Sequence, residues 1–199
     1  MYEDKLDKTL ELTTSILSMR DLGTLLKKIA DGITDDFGFE QCDLFLLSEE
    51  KDAFLLKLTK GYPVDLSGKL EGLAKSTSSF KDDLALTERL GRFTFIYKAD
   101  PNSNGKSYYG LLHPERAKLP RENPDDWHEL DVLYVTFEDA DGNIIGFMEP
   151  DGPRSGKLPT KSMVMNLEIF ASLASIAVAN AEMLHTQEET VKGPEDRYR

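Results

Sequence analysis

The sequence has only one cysteine, Cys42, among its 199 residues. A single thiol excludes an internal disulfide bond and a metal site built from several thiolates. Because small secreted domains are commonly stapled by disulfides, this composition favours a reducing compartment. The first residues also lack the basic and then apolar pattern of a secretion signal, and no uncharged apolar run approaches membrane-spanning length. We therefore expect a cytoplasmic protein.

Basic residues are also fewer than acidic ones. Lys and Arg total 24 against 36 Asp and Glu, which gives a net charge of −12. Phosphate backbones and anionic lipid surfaces attract clustered Lys and Arg and repel an acidic chain. The densest basic cluster, from Arg20 to Lys28, has helical spacing and is typical of a solvated face. We expect neither nucleic acid nor a membrane surface as a partner.

The apolar pattern divides the chain into helices and strands. Residues three and four apart predict helices over 5–18, from Asp21 to Phe37, and from Thr160 towards the C-terminus. One or two short helices are expected within 61–92, and a long loop, either a lid or disordered, over 99–129. Apolar and β-branched runs predict strands at 42–47, 53–59, 92–98, 130–138 and 144–149. The pattern indicates one mixed domain, with a sheet covered on both faces.

The final helix carries two apolar rows. A helix that is apolar on two faces must be covered twice, here by the sheet and by a helix of a second subunit or of the N-terminal segment. We therefore predict a homodimer through the terminal helices. The predicted interface residues are Leu6, Leu10 and Leu17 in the first helix and Leu167, Phe170, Ala174, Ala177, Ala181 and Leu184 in the last.

The order of elements, together with several short motifs, resembles the GAF family of sensory domains, especially those attached to multi-domain histidine kinases. The N-terminal motifs are Ser18-Met19-Arg20-Asp21-Leu22, Phe37-Gly38-Phe39 and Cys42-Asp43-Leu44-Phe45-Leu46. The C-terminal motifs are Trp127-His128, Asp131 to Val135, Gly142 to Gly146, Asp151-Gly152-Pro153, Leu158-Pro159-Thr160, Leu167 to Ala171 and Ala177 to Ala181. The resemblance covers about residues 15–186, with 61–125 matching in outline only.

This resemblance implies an α+β fold with an antiparallel sheet of five to six strands. The N- and C-terminal helices would cover one face, and short helices and loops would cover a ligand pocket on the other. It implies an N-terminal amphipathic helix over 1–20, a GAF-like sensory domain over 21–186 and a polar tail over 187–199. It also implies a sensory role, with a histidine kinase or another effector domain as partner.

The sequence lacks most of the residues that bind the ligands known for this family. The sequence therefore identifies no cofactor. Asn104 and Lys106 lack the Phe and Asp-Glu partners of a cyclic-nucleotide site. Cys42 lies in a predicted strand, which disfavours a covalent bilin, and one thiol cannot both reduce methionine sulfoxide and resolve the product. A haem ligand from His113 or His128 stays open. The chain offers no set of nucleophile, base and orienting group, so we expect no catalytic residues and no enzyme.

A ligand pocket between the sheet and the long loop is the remaining candidate site. Asp43, Tyr134 and Thr136 are polar residues in apolar strands, and burial without partners would be costly for them. We predict that they face the pocket, although Tyr134 and Thr136 could instead hydrogen-bond to loop backbone. The predicted apolar or stacking walls are Phe95, Tyr97, Tyr108, Tyr109 and Trp127.

Three functions remain open from the sequence. The first is a regulatory module in which a small molecule or a partner biases the arrangement of the terminal helices. The second is a structural dimerisation module with a collapsed pocket. The third is an enzyme of undetected chemistry.

Overall fold

The computed structural model describes residue 14, residues 21–99 and residues 113–195. Its centre is a seven-stranded, fully antiparallel sheet in the order β3-β2-β1-β7-β6-β5-β4. The strands are β1 Phe39–Ser48, β2 Ala53–Lys60, β3 Ala74–Ser76, β4 Glu88–Arg89, β5 Thr94–Tyr97, β6 Val132–Glu138 and β7 Ile144–Pro153. The predicted α+β class is confirmed, although the sheet has seven strands instead of five to six, and its short edge strands β3 and β4 were not predicted.

Four α-helices complete the described part of the fold. They are α1 Leu22–Asp31, which continues as a π-helical turn Gly32–Asp36, α2 Val64–Leu70, α3 Thr77–Ala85 and α4 Lys161–Glu195. The carboxylate of Asp21 caps α1 by accepting a hydrogen bond from the Thr24 backbone amide at 2.7 Å. The helical backbone of α4 continues past residue 187, where the polar tail was predicted to begin.

Helices α1 and α4 pack on one face of the sheet, which we call the first face. They enclose the larger apolar core, in which the thiol of Cys42 is fully buried. Alternate residues of the central strands point into this core, as the period of two in a strand requires. The core includes Ile29, Ile33, Leu44, Leu46, Leu133, Val135, Phe137, Met148, Leu167, Phe170 and Ala174.

The opposite side of the sheet, the second face, is covered in part by α3. Its core is a small cluster made of Phe45, Phe54, Phe80, Tyr134 and Phe147. The hairpin from β6 to β7 turns at Gly142, whose φ of 84° is readily available only to glycine. This hairpin, predicted from Asp141-Gly142-Asn143, places the second-face residues of β6 and β7 side by side.

Within the described residues, the stretch Lys161–Ala181 of α4 is long and apolar enough to span a bilayer, with a mean hydropathy of 1.6. The expectation concerned uncharged runs, and this stretch contains two charged residues, Lys161 and Glu168. The Leu167, Phe170 and Ala174 side chains are fully buried in the first-face core. The apolar character of α4 therefore serves the domain core.

Candidate functional site

Aromatic rings fill the second face beneath α3. Phe80 of α3 stacks on Phe147 of β7, with ring centroids 4.1 Å apart and planes 8° from parallel. Phe45 stacks on the same Phe147 ring at 4.7 Å, and Phe54 meets it edge-on at 5.1 Å. Since the rings are buried and in contact, this part of the second face is a packed layer.

A polar row continues the same face towards the start of β1 and the end of β7. The register pairs Asp43 with Glu149 and Gln41 with Asp151. These residues alternate with Phe45 and Phe147, so they lie on the second face. The structure therefore brings three carboxyl groups and one amide together along two central strands.

Lys75 of β3 supplies the positive charge beside this row. Its Nζ lies 3.1 Å from Asp83, 3.5 Å from Glu149 and 3.1 Å from the Tyr134 hydroxyl, to which it donates a hydrogen bond. The ammonium is also 5.0 Å from the centroid of the Tyr134 ring. Burial alone would lower the pKa of Lys75, but Glu149 and Tyr134 raise it above its ordinary value, so Lys75 stays charged.

The carboxyl groups of the row hold their protons unusually well. Burial, and next the charge of Glu149, raises the pKa of Asp43 to about 8, although Tyr62 donates a hydrogen bond to Asp43 Oδ2 at 2.9 Å. Burial also raises the pKa of Asp151 to about 7, against a hydrogen bond from the Gly152 amide. The pKa of Glu149 is raised by burial and lowered in part by Lys75. The row can therefore exchange protons near neutral pH.

A cavity of about 300 Å³ lies at the end of this row. Gln41 and Asp151 contribute to it from the sheet. The segment 113–129 forms much of its remaining wall, including His113, Arg116, Leu119, Arg121, Glu122, Trp127 and Glu129. Such a volume is at the small end of the range for ligand pockets.

Three buried polar atoms in this region have no hydrogen-bond partner in the part of the chain that the structure describes. They are Gln41 Nε2, Asp43 Oδ1 and Trp127 Nε1. The Trp127 indole favours the ionised form of Asp151, but its N–H makes no well-aligned hydrogen bond to that carboxyl group. Buried polar groups are nearly always paired, so these atoms mark a place where a further molecule can bind.

The wall segment is fixed by its own polar contacts. Arg121 forms an ion pair with the fully buried Asp131 carboxylate, with Nη2 and Oδ1 2.6 Å apart. The Leu130 amide donates to His128 Nδ1 at 3.1 Å, so His128 Nε2 carries the proton and donates to the Leu119 carbonyl at 2.9 Å. Both ring nitrogens of His128 are thus engaged, which argues against His128 as a haem ligand.

The structure does not bring the predicted pocket residues together into one site. Trp127 lines the cavity, Asp43 belongs to the polar row, and Phe95 and Tyr134 belong to the aromatic layer or pack against it. The Thr136 hydroxyl donates a hydrogen bond to the Phe93 carbonyl at 3.3 Å. Thr136 therefore follows the alternative prediction, in which its side chain bonds to backbone instead of facing a ligand. Tyr97 is half-buried at the end of β5. Tyr108 and Tyr109 lie outside the described residues.

Gln41, Glu149 and Asp151 were not among the predicted site residues. A signal for two of them existed, since Glu149 and Asp151 interrupt an apolar strand at a spacing of two. Gln41 becomes informative only once its partner strand is known.

The predicted dimer interface needs a correction. Leu167, Phe170, Ala174, Ala177 and Ala181 are buried in the chain's own first-face core and are not available to a second subunit. Among the α4 side chains that the structure describes, the large apolar ones that remain exposed are Met165, Ile176 and Met183. Leu6, Leu10 and Leu17 lie outside the described residues, as does the side chain of Leu184.

Metal and thiol chemistry find no support in the described ranges. No group of three or more His, Cys, Asp or Glu side chains there could hold a metal ion. The Cys42 thiol is fully buried, and burial raises its pKa well above the ordinary value, so it is not a nucleophile.

No protein-family model and no curated protein sequence matches the chain. Solved structures do match. The GAF domain of an Acinetobacter phosphoenolpyruvate-protein phosphotransferase has a TM-score of 0.60 at 17% identity, covering 92% of this chain and 97% of that one. The GAF domain of a Pseudomonas syringae sensor histidine kinase has a TM-score of 0.54 at 12% identity, covering 94% of each chain.

A third similar structure is an enzyme. The free methionine-R-sulfoxide reductase of Neisseria meningitidis, in complex with its substrate, has a TM-score of 0.57 at 10% identity, covering 88% of this chain and 89% of that one. At these identities the likeness concerns the fold. The antiparallel sheet, with its long helices on one face and α3 on the other, is therefore a GAF-domain fold.

Proposed function

We propose that this chain is a non-enzymatic sensory or regulatory domain, which binds a small molecule in the cavity at the end of β1 and β7. The observation that carries the proposal is the Gln41 side chain. It is 1% exposed, it lines the cavity, and its Nε2 has no partner among the described residues. A buried amide donor without a partner costs free energy, which a bound ligand can recover.

The connection from the cavity to α4 supports a relay. Strand β7 carries Asp151 into the cavity and then leads through a short loop into α4. The Glu168 carboxylate of α4 accepts hydrogen bonds from the Arg92 and Phe93 amides and from the Thr94 hydroxyl. These contacts fix α4 against the start of β5, while the loop 154–160 joins α4 to β7. In this proposal a ligand that favours one position of β7 biases α4 through that loop, as a population shift requires.

The output of this relay is proposed to be a change in helix pairing. Met165, Ile176 and Met183 form an exposed row on α4, with exposed fractions of 57%, 50% and 61%. In this proposal the row contacts α4 of a second copy or the N-terminal helix predicted over residues 1–20. The domain proper covers about 21–186, and its partner in signalling is a histidine kinase or another effector domain.

Two similar structures support a place in signal transduction, since one comes from a sensor histidine kinase and another from a phosphotransferase. The proposed location is the cytoplasm, in agreement with the single buried thiol and the acidic composition.

A second candidate function rests on the aromatic layer. Phe45, Phe80 and Phe147 fill the space between α3 and the sheet, which is the space that the resemblance assigned to a ligand. This packing favours a structural dimerisation module whose pocket has collapsed. The two functions differ in whether the remaining cavity binds anything.

A thermal-shift screen with a library of small metabolites separates them. A ligand at about ten times its dissociation constant should raise the melting temperature by about 3 to 6 °C. Leu119→Trp, which adds bulk at the cavity, should abolish the shift. Leu86→Trp is the matched control, because Leu86 is as exposed as Leu119, with 60% against 59%, and lies away from the cavity. The absence of any Leu119-sensitive shift would favour the structural module.

A further inference from the structure

The charges around the cavity define the kind of molecule that it can hold. Two of its charged side chains are neutralised within the wall, because Arg121 pairs with Asp131 and Asp126 pairs with Lys157. His113 Nε2 lies 3.6 Å from one carboxylate, that of Glu40. The other lining charges are the carboxyl groups of Glu122, Glu129 and Asp151 and the guanidinium of Arg116. The wall is therefore acidic on balance and favours a cationic group.

The unpartnered atoms that line the cavity have the opposite requirement. Gln41 Nε2 and Trp127 Nε1 are both N–H donors, so each needs an acceptor oxygen or nitrogen. Gln41 and Asp151 are paired across β1 and β7, so a donor and a carboxyl group stand side by side on the cavity floor. One ligand must therefore present an acceptor and a cation close together.

We infer that the cavity binds a molecule of the amino-acid class, which carries a protonated amine next to a carboxylate or amide oxygen. The inference rests on the proposed function and adds the chemistry of the ligand to it. The oxygen accepts from Gln41 and Trp127, and the ammonium group faces Asp151 and Glu129. Charge-assisted hydrogen bonds of this kind are the stronger ones, and both unpartnered donors become satisfied.

Other ligand classes satisfy only part of these requirements. A free anion would meet the two donors but would stand among three carboxyl groups without a positive charge of its own. A simple amine would satisfy the carboxyl groups but would leave the Gln41 amide buried and unpaired. A bound metal ion lacks a set of three ligating side chains in the described ranges. The volume of about 300 Å³ favours a single small molecule.

The test uses each of the twenty standard L-amino acids as a thermal-shift probe on the full chain. At least one should raise the melting temperature by about 3 to 6 °C at ten times its dissociation constant. The corresponding deaminated acid and decarboxylated amine, which keep its side chain, should each give less than a third of that shift. An equal shift from either of these two compounds would overturn the inference.

Two variants connect the shift with the named atoms. Gln41→Leu should weaken binding of the active amino acid about tenfold, while the ligand-free protein stays as stable or becomes more stable. Asp151→Asn should weaken it by a similar factor, and Asp125→Asn, an exposed carboxylate of the same segment, should not. Trp127→Phe removes the indole N–H donor while it keeps an aromatic ring, and it replaces Gln41→Leu if that variant does not fold. Unchanged affinity in these cavity variants would overturn the inference.

The result also separates this inference from the proposed function. If no amino acid binds but the metabolite library gives a shift that Leu119→Trp abolishes, the amino-acid class is wrong and the sensory function stands. If neither gives a shift, both are wrong.

Discussion

Phe80 of α3 lies flat against Phe147 of β7, with the two ring centroids 4.1 Å apart. This contact attaches α3 to the second face and closes the space between helix and sheet. Truncation of Phe80 to alanine removes a fully buried ring and leaves a void, because the surrounding β-strands cannot collapse into it. Phe80→Ala should therefore lower the free energy of unfolding by about 3 to 5 kcal/mol.

Urea denaturation checks this value. Leu86→Ala is the control, since Leu86 is 60% exposed close to the end of the same helix and should change stability by no more than about 0.5 kcal/mol. A loss below about 1 kcal/mol for Phe80→Ala would mean that α3 is not anchored by this stack.

Lys75 links β3 to β7 and α3 through Glu149 and Asp83. Lys75→Met keeps the aliphatic stem but leaves Glu149 without its cation. We expect a loss of about 2 to 3 kcal/mol at neutral pH, because an unpaired carboxylate in this half-buried position is costly. The double variant Lys75→Met/Glu149→Gln should recover about 1 kcal/mol of that loss. Chemical denaturation of the four proteins measures the coupling, and strictly additive losses would contradict it.

Stability should fall as pH rises through neutrality. The pKa of Asp43 is about 8 and that of Asp151 about 7, both raised by burial, whereas an unfolded Asp titrates near about 4. Between about pH 4 and pH 8 the native state holds more protons than the unfolded state. The contribution of these two carboxyl groups to the free energy of unfolding is therefore fully present below about pH 4 and is lost as the pH rises to about 8. The slope is at most about 1.4 kcal/mol per pH unit for each group.

Asp43→Asn should flatten this decline, because the amide has no proton to lose. Denaturation curves at acidic, neutral and mildly alkaline pH measure the slope for wild type and variant. Parallel pH profiles would contradict the burial of an uncharged Asp43.

The exposed row of α4 should control assembly. Ile176→Glu places a charge where we propose that a second helix packs, and should weaken self-association about tenfold or more. Val64→Glu is the control, because Val64 is 90% exposed and lies in α2, outside the exposed row of α4. Sedimentation or light scattering over a range of protein concentrations measures the effect. A monomeric wild type, or equal association by both variants, would contradict the dimer.

Most helices and strands could be predicted because they are locally specified, whereas their arrangement in the sheet was implied by the resemblance to GAF domains. The run Phe93 to Tyr97 contains aromatic and β-branched residues that favour a strand, and Gly142 provides the positive φ that its hairpin needs. The short edge strands β3 and β4 were not predicted. Each has three residues or fewer and is defined by the strand it pairs with.

The direction in which α4 faces could not be derived from its pattern. Two rows, one including Leu167 and Phe170 and the other including Ile176, have similar apolar character, and helical periodicity does not tell which row meets the sheet. In the structure the Phe170 row packs inward, where its ring lies 5.3 Å from that of Phe37.

The cavity could not be predicted from the sequence either, for a different reason. Gln41 and Asp151 are far apart in the chain and become neighbours only through the register of β1 with β7. A single sequence contains no direct signal for that register. Asp43 and Trp127 could be predicted because each is a conspicuous residue type in its local surroundings.

The NMR signals of two side-chain N–H groups, Gln41 Nε2 and Trp127 Nε1, test the central claim most directly. The chain has one tryptophan, so its indole N–H signal is unique. On addition of a metabolite that raises the melting temperature, both signals should move, while the Asn143 amide, held by Asp139 in the distant β6–β7 turn, should not. Saturable binding that leaves Gln41 and Trp127 unmoved would show that this cavity is not the sensory site.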